Sequence, residues 1–306
     1  MANLFKDLLN ASFIFIVIRV AAPLVYASLS SYVASLAGIP NIAIEGVMNF
    51  AALFGVYFST ISGSAWIGLL GAIAVGIACG IVLSFFTIKM KASPIMVGIA
   101  LNLFSADFAI YLLLLWIGSK GTTASLPSKV LPTIDIPFIK DIPVLGDIVS
   151  GHYFLTYVCL LLTVLLFILV YKTPFGLRMK ACGLDAHAAE SVGIKVNRVR
   201  TIAAVISCFL AALGGAYLSM GYMSFYSSNM VASRGWIGIA AAAVGGNNLG
   251  IVVFVTMIFS VAQAIVNVLL LEGLPSELVN IIPYVSVLVI LIIIGIRTKK
   301  QLKAKA

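Results

Sequence analysis

The sequence predicts an all-α protein, a polytopic bundle of transmembrane helices with about eight to ten spans, and three observations carry that prediction. Of 306 residues, 62% are hydrophobic and 9% charged, well beyond the roughly half-apolar composition of a soluble globule. The apolar residues fall in repeated uninterrupted runs of the length a helix needs to cross a bilayer, about 20 residues, which excludes the alternating pattern of an outer-membrane barrel. Breaks rich in Gly, Pro and Asn interrupt the runs at similar places in the two halves of the chain, a sign of two pseudo-repeated halves with broken helices and a pathway between them.

The first run, Ala11 to Leu36, follows no basic segment with a cleavage site, so it reads as a retained span. It contains Pro23 and Arg19, and the latter is near enough to the helix end to snorkel to the interface. After a break at Gly38 come the runs Ala65 to Ile88 and Ala92 to Ile117, separated by the basic turn Lys89-Met90-Lys91. Gly68, Gly71, Gly76 and Gly80 allow close helix packing. Ser119 to Gly151 carries Pro127, Pro132, Pro137 and Pro143, which preclude a long helix, and by alternation residues 119–151 form an external loop. Spans then follow at Tyr153 to Tyr171, Thr201 to Met223, Ile251 to Leu271 and Val279 to Ile296, with a short, broken segment from Ser233 to Gly246. Arg297, Lys299, Lys300, Lys303 and Lys305 place the C-terminus in the cytosol. The exact number of spans, and the side of the N-terminus, turn on whether the segment around Glu45 crosses or turns back.

Residues 172–200 form the one long polar stretch dense in positive charge, with Lys172, Arg178, Lys180, Lys195, Arg198 and Arg200 between two apolar runs. Short loops rich in Lys and Arg stay on the cytoplasmic side, so this loop is expected in the cytosol. Inside it Asp185 can cap a short helix, Ala186, Ala188 and Ala189 can form a smooth surface, and Gly193 can end the helix after Val192. Such a helix suits another protein's groove, and its basic flanks suit lipid head groups.

The break from Gly38 to Asn49 holds Asn41, Glu45 and Asn49. A carboxylate facing lipid near the centre of a span costs roughly 2.5 kcal/mol or more, so Glu45 is expected to face the bundle or a cavity. Broken helices with polar residues at membrane depth are how transporters present helix ends to substrates. A structural alternative is equally open: Glu45 pairs with Arg19 or caps a helix end. Asn102 and Asp107 are also polar at membrane depth, on different faces of one helix.

Several function classes are excluded. The net charge of +9 sits in membrane-flanking loops, so no nucleic-acid partner is implied. Cys79, Cys159, Cys182 and Cys208 lack metal-ligand spacing, and His152 and His187 lack ligating neighbours, so no metal and no cofactor are expected. No Gly-rich phosphate loop followed by Lys and Ser or Thr occurs. The chain is therefore no enzyme, and its energy comes from elsewhere: from a separate ATPase docked on Leu184 to Gly193, or from an ion gradient acting through Glu45 or Asp107.

The order Gly-Leu-Arg-Met-Lys-Ala-Cys-Gly-Leu-Asp-Ala-His-Ala-Ala-Glu-Ser-Val-Gly-Ile-Lys-Val, at 176–196, followed by a helix with Ser207, Leu210, Ala211 and Gly214-Gly215, resembles the coupling loop of bacterial ABC importer permeases. The similarity extends over nearly the whole chain to the branched-chain amino acid, ribose and nucleoside permease family. Gly38 to Met48 is similar to that family's Gly-x-x-Asn-Ile-Gly-x-Glu-Gly-x-Met pattern, with Ala43 where glycine is usual. The segment from Arg234-Gly235-Trp236 resembles its Arg-Gly-Trp/Phe-Ile-x-Leu-Ala run, with Gly246-Asn247-Asn248-Leu249-Gly250 in place of Gly-x-x-x-Pro. The resemblance implies one permease domain over residues 1–306 in a bacterial cell membrane. It implies coupling to ATP-binding cassette subunits through Leu184, Asp185, Ala186, His187, Ala188, Ala189, Glu190, Ser191, Val192 and Gly193. The substrate pathway would be lined by Asn41, Glu45, Asn49, Asn102 and Trp236. Further implied partners are a second permease subunit, in a heterodimer, and an external substrate-binding lipoprotein. The implied substrate is a nucleoside, with simple sugars or riboflavin as alternatives.

Overall fold

The computed structural model describes residues 11–118, 121–135 and 145–271, together with residues 285 and 292. Long helices dominate it: α1 (Ala11–Leu36), α2 (Ile44–Ser62), α3 (Ala65–Ser84), α4 (Pro94–Ile117), α6 (Phe154–Lys172), α9 (Val196–Tyr217) and α11 (Leu249–Leu271). Shorter helices are α5 (Leu145–Val149), α7 (Pro174–Leu184), α8 (Ala186–Ser191) and α10 (Arg234–Gly245). Two π-helical turns, Phe85–Lys89 and Leu218–Tyr222, prolong α3 and α9, and strands β1 (Thr133–Ile134) and β2 (His152–Tyr153) pair antiparallel. Seven helices among the described residues are long and apolar enough to span a membrane. The expected span at Val279 to Ile296 and the basic C-terminal cluster lie outside the described residues.

Helices α1 and α9 form the centre. Helix α9 packs on α1, α2 and α3, and α1 packs in turn on α10 and α11. Close approach of α9 rests on small residues, which replace the hydrophobic driving force that lipid removes between helices. A side chain on Gly215 would collide with the Met48 carbonyl of α2, and one on Gly76 of α3 with the Ala212 methyl of α9. We expect Gly215→Val to lower the unfolding temperature and the monodisperse yield in detergent, whereas Gly121→Ala, which meets open space, leaves both unchanged. Equal behaviour of the two variants would show that this contact does not set stability.

The largest buried side chains are tyrosines whose hydroxyls find partners, as burial requires. Tyr26 Oη donates to Leu155 O at 2.8 Å and Tyr32 Oη to Asn247 O at 3.1 Å. Helices α3, α4 and α6 instead turn large apolar residues outward, Leu70, Leu103 and Leu160 among them, the surface that suits lipid tails or an apolar neighbouring helix.

The basic loop and the segment 121–135 lie at opposite ends of the bundle. At the second end Leu131 N donates to Met220 O, Ser59 Oγ to Lys129 O and Thr123 N to Tyr226 O. Among the described residues the loop 119–151 holds strand β1 and the short helix α5; Pro137 and Pro143 lie outside them. Arg19 departs from the expected snorkelling. It is part-buried, donating from Nη2 to Tyr153 Oη at 2.9 Å and facing the rings of Tyr153 and Tyr222. The cation is drawn inward because aromatic faces and a phenol replace its water.

Candidate functional site

The break after α1 is built by its own polar residues. Gly38 adopts φ +77°, and the chain then runs through Pro40 to Asn41, whose Oδ1 accepts from Ala43 N at 2.9 Å and starts α2. Asn41 Nδ2 donates to Ser207 Oγ at 2.8 Å, and Ser207 Oγ to Ser30 O at 2.7 Å. Asn102 of α4 serves the same break from the other side, accepting from Gly46 N at 2.7 Å and donating to Ile42 O at 2.9 Å. One amide side chain thus satisfies both an orphan donor and an orphan acceptor at the start of a helix.

Glu45 does comparable work for the other half of the chain. Its Oε1 accepts from Ser233 N at 2.8 Å and its Oε2 from Gly235 N at 2.8 Å. Ser233 sits at the N-cap of α10 with φ +62° and makes no side-chain cap of its own. The carboxylate in the first turn of α2 therefore caps α10, and the positive ends of two helices share one negative charge. The two broken segments meet here, and Gly235 comes so close that a Cβ would lie 2.7 Å from Glu45 N.

Beside this junction is a cavity of about 270 Å³ lined by Glu45, Gly46, Asn49, Asn102, Ala106, Ile110, Tyr226, Ser228, Asn229 and Val231. Asn49 Nδ2 donates to Ser105 O and Oγ, each at 3.1 Å, while its Oδ1 accepts from Tyr226 Oη at 2.8 Å. Of the five residues expected along the pathway, the structure brings together Glu45, Asn49 and Asn102. Asn41 is buried behind them against α9, and Trp236 is 43% exposed and outside the cavity lining. Asp107 is exposed on another face of α4. The sequence reading missed Tyr226, Ser228 and Asn229. The polar run Ser227-Ser228-Asn229 before the second break was the available signal.

At the basic end, the expected short helix is α8. Asp185 Oδ1 accepts from His187 N at 2.9 Å and Ala188 N at 3.1 Å, and Gly193 ends the turn with φ +84°. The second helix of this loop, α7, was not expected, although Thr173 with Pro174 is a standard helix start; Thr173 Oγ1 accepts from Gly176 N at 3.3 Å. Alanines 186, 188 and 189 do not form one surface. Ala189 is 3% exposed and faces the bundle, whereas Ala188 points outward with His187 and Glu190. The outward apolar residues flank the helix: Leu184 is 80% exposed and Val192 74%. Next to them lies a groove of about 560 Å³ lined by Phe175, Arg178, Val192, Gly193, Ile194, Lys195, Arg198, Val199 and Ile202. Burial pushes the Cys182 thiol up, with Arg200 opposing, and all four cysteines are buried, an arrangement unsuited to thiol chemistry. No cluster of three metal-ligating side chains occurs among the described residues.

The comparisons with known proteins bear on this arrangement. The guanosine ABC transporter permease protein NupQ of Bacillus subtilis is 31% identical over 232 residues, covering 74% of this chain and 72% of NupQ. The nucleoside ABC transporter permease protein NupC of Lactococcus lactis is 24% identical over 282 residues, covering 89% of this chain and 88% of NupC. An ABC transporter solved in an inward-facing conformation shares the fold, with a TM-score of 0.54 at 19% identity over 91% of this chain and 84% of that one. The sequence reading had left open an ATP-driven or an ion-driven transporter, and the ATP-driven class is the one supported. The chain is a non-catalytic, multi-pass membrane subunit of the bacterial ABC type, and ATP is hydrolysed by a separate subunit. The family of branched-chain amino acid transport system permease components matches residues 13–295, and the chain belongs to it.

Proposed function

We propose that the chain forms half of the translocation pathway of a nucleoside importer, with the cavity at Glu45, Asn49, Asn102 and Tyr226 as its membrane-depth station and α8 as the helix that docks in the ATPase. The observation that carries the reading is the exposure of Leu184 and Val192 around a capped helix at the basic end of the bundle. Apolar side chains that stand out from a polar, charged loop lack the lipid that would explain them on a span, and they fit the groove of a cytosolic partner. The adjoining groove with Arg178, Lys195 and Arg198 supplies a positive rim for such a partner.

The rest of the reading follows the same logic. Residues 172–200 then lie in the cytosol together with the C-terminus, and residues 119–151 lie outside, where a substrate-binding lipoprotein delivers its load. Asn41 supports the pathway from behind the cavity wall, and Trp236, exposed next to Gly235, lies outside that wall. Two different permeases pair in the branch this chain resembles, so the partner across the pathway is a second, non-identical permease. The cavity wall combines amide and hydroxyl side chains, Asn49, Asn102, Tyr226, Ser228 and Asn229, with the apolar Ala106, Ile110 and Val231, which suits a neutral molecule with both polar and apolar faces. The relatives' names favour nucleosides over simple sugars or riboflavin.

The test is to tag the chain, extract it in mild detergent, identify the proteins that accompany it and reconstitute them with a panel of radiolabelled guanosine, ribose and riboflavin. Recovery of an ATPase and a second permease, with ATP-dependent uptake of guanosine, is the expected result. Recovery of the chain with itself alone would overturn the heterodimer, and uptake of another panel member would overturn the nucleoside.

A further inference from the structure

Arg200 stands one turn inside α9, where three elements converge. Its Nε donates to Ala37 O at 3.2 Å, just past the end of α1, and its Nη2 donates to Cys182 O at 3.3 Å, near the end of α7. Both acceptors are carbonyls at helix C-termini, where intrahelical partners run out and a cation is favoured. The guanidinium is planar and presents several donors at fixed angles, so it can hold two carbonyls in one relative position.

The backbones it joins are in contact. A Cβ on Gly38 would lie 3.2 Å from Gly183 Cα, and one on Gly183 would collide with Leu36 O. Gly183 is three residues before α8, and Gly38 opens the extended passage to Asn41 and Glu45. Helix α8 touches the bundle through the buried Ala189 and the half-buried Ala186, and its other residues are exposed. A displacement of α8 therefore reaches the broken segment through a short path in which neighbouring parts cannot slide past one another.

We propose that Arg200 is the positioning residue that transmits movement of α8 to the break at Gly38–Ala43, and so to the cavity at Glu45. This rests on the assignment of α8 as the ATPase-docking helix. An inert staple would contribute to stability alone; a transmitting one sets how much transport each ATP drives.

The experiment uses the assembled transporter in liposomes, with whichever member of the panel above the parent takes up. Arg200→Gln and Arg200→Lys are compared with the parent for ATPase recovery, unfolding temperature, ATP hydrolysis and uptake per ATP hydrolysed. Arg200→Gln should keep the ATPase and its hydrolysis near the parent level while uptake per ATP falls about tenfold, the size of a typical coupling energy. Arg200→Lys, which keeps the charge but reaches one carbonyl, should recover part of the loss. Gly183→Ala leaves the guanidinium intact and pushes α7 off the Leu36 carbonyl, and it should uncouple in the same way.

Unchanged uptake per ATP in Arg200→Gln and Gly183→Ala would overturn the proposal, as would loss of folded protein or of the ATPase in Arg200→Gln with normal coupling in Gly183→Ala. Failure of the docking assignment is distinguishable. In that case Val192→Asp would leave ATPase recovery intact, whatever the Arg200 variants do.

Discussion

Replacing Ala188 and Val192 together by Asp is expected to abolish ATP-dependent uptake and the recovery of the ATPase, while the permease itself remains folded. Both side chains are exposed at the basic end, and neither is used by the bundle. Seated in a partner's apolar groove, they would each be replaced by a carboxylate that must shed its water without a partner. A docking loss of roughly 3 kcal/mol or more corresponds to about 100-fold in affinity. The variant must spare Ala189: it packs inward, so a charge there would unseat α8 from its own protein and confound the result. The readouts are ATPase recovery and the unfolding temperature in detergent. An unfolding temperature at the parent value with ATPase recovery also unchanged would sink the docking assignment.

The second large effect is expected at Glu45. Glu45→Ala leaves the N–H groups of Ser233 and Gly235 without acceptors at the start of α10, and each buried donor left unpaired costs about 1–3 kcal/mol. It also removes the negative charge that two helix N-termini share. The unfolding temperature should drop and uptake should be lost together. Glu45→Gln, which keeps one acceptor oxygen and sets an amide N–H₂ against the second donor, should fall between parent and Ala. Loss of uptake at an unchanged unfolding temperature would instead make Glu45 a substrate-facing group. Full retention of both would show that the junction of the two halves does not depend on it.

These expectations differ from those that follow from Glu45 as a bare polar residue in a membrane segment. The need for the carboxylate to turn inward was legible in the sequence, because its cost in lipid is a property of the residue and its depth. Its partner was not legible. Ser233 and Gly235 lie almost two hundred positions away, and a backbone N–H carries no mark in a sequence. Asn41 and Asn102 show the same limit: both read as candidates for the pathway, and both are used by backbone groups of the break, with Asn102 also lining the cavity.

The sequence by itself determined the elements whose cause is local. Hydropathy over about 20 residues set the spans other than Ile44–Ser62, where the sequence left a crossing or a turn open and the structure has a helix long and apolar enough to cross; glycine and proline set the breaks, and Asp185 and Gly193 set the ends of α8. These follow from neighbours along the chain. Tertiary structure alone decided which polar groups are spent on the fold and which remain for a ligand. It turned Ala189 inward and Ala188 outward, drew Arg19 among aromatic rings, sent Trp236 away from the cavity and brought Tyr226 to Asn49. The physical reason is that a polar group in a water-poor bundle takes the nearest available partner, and which partner is nearest depends on how helices distant in sequence pack.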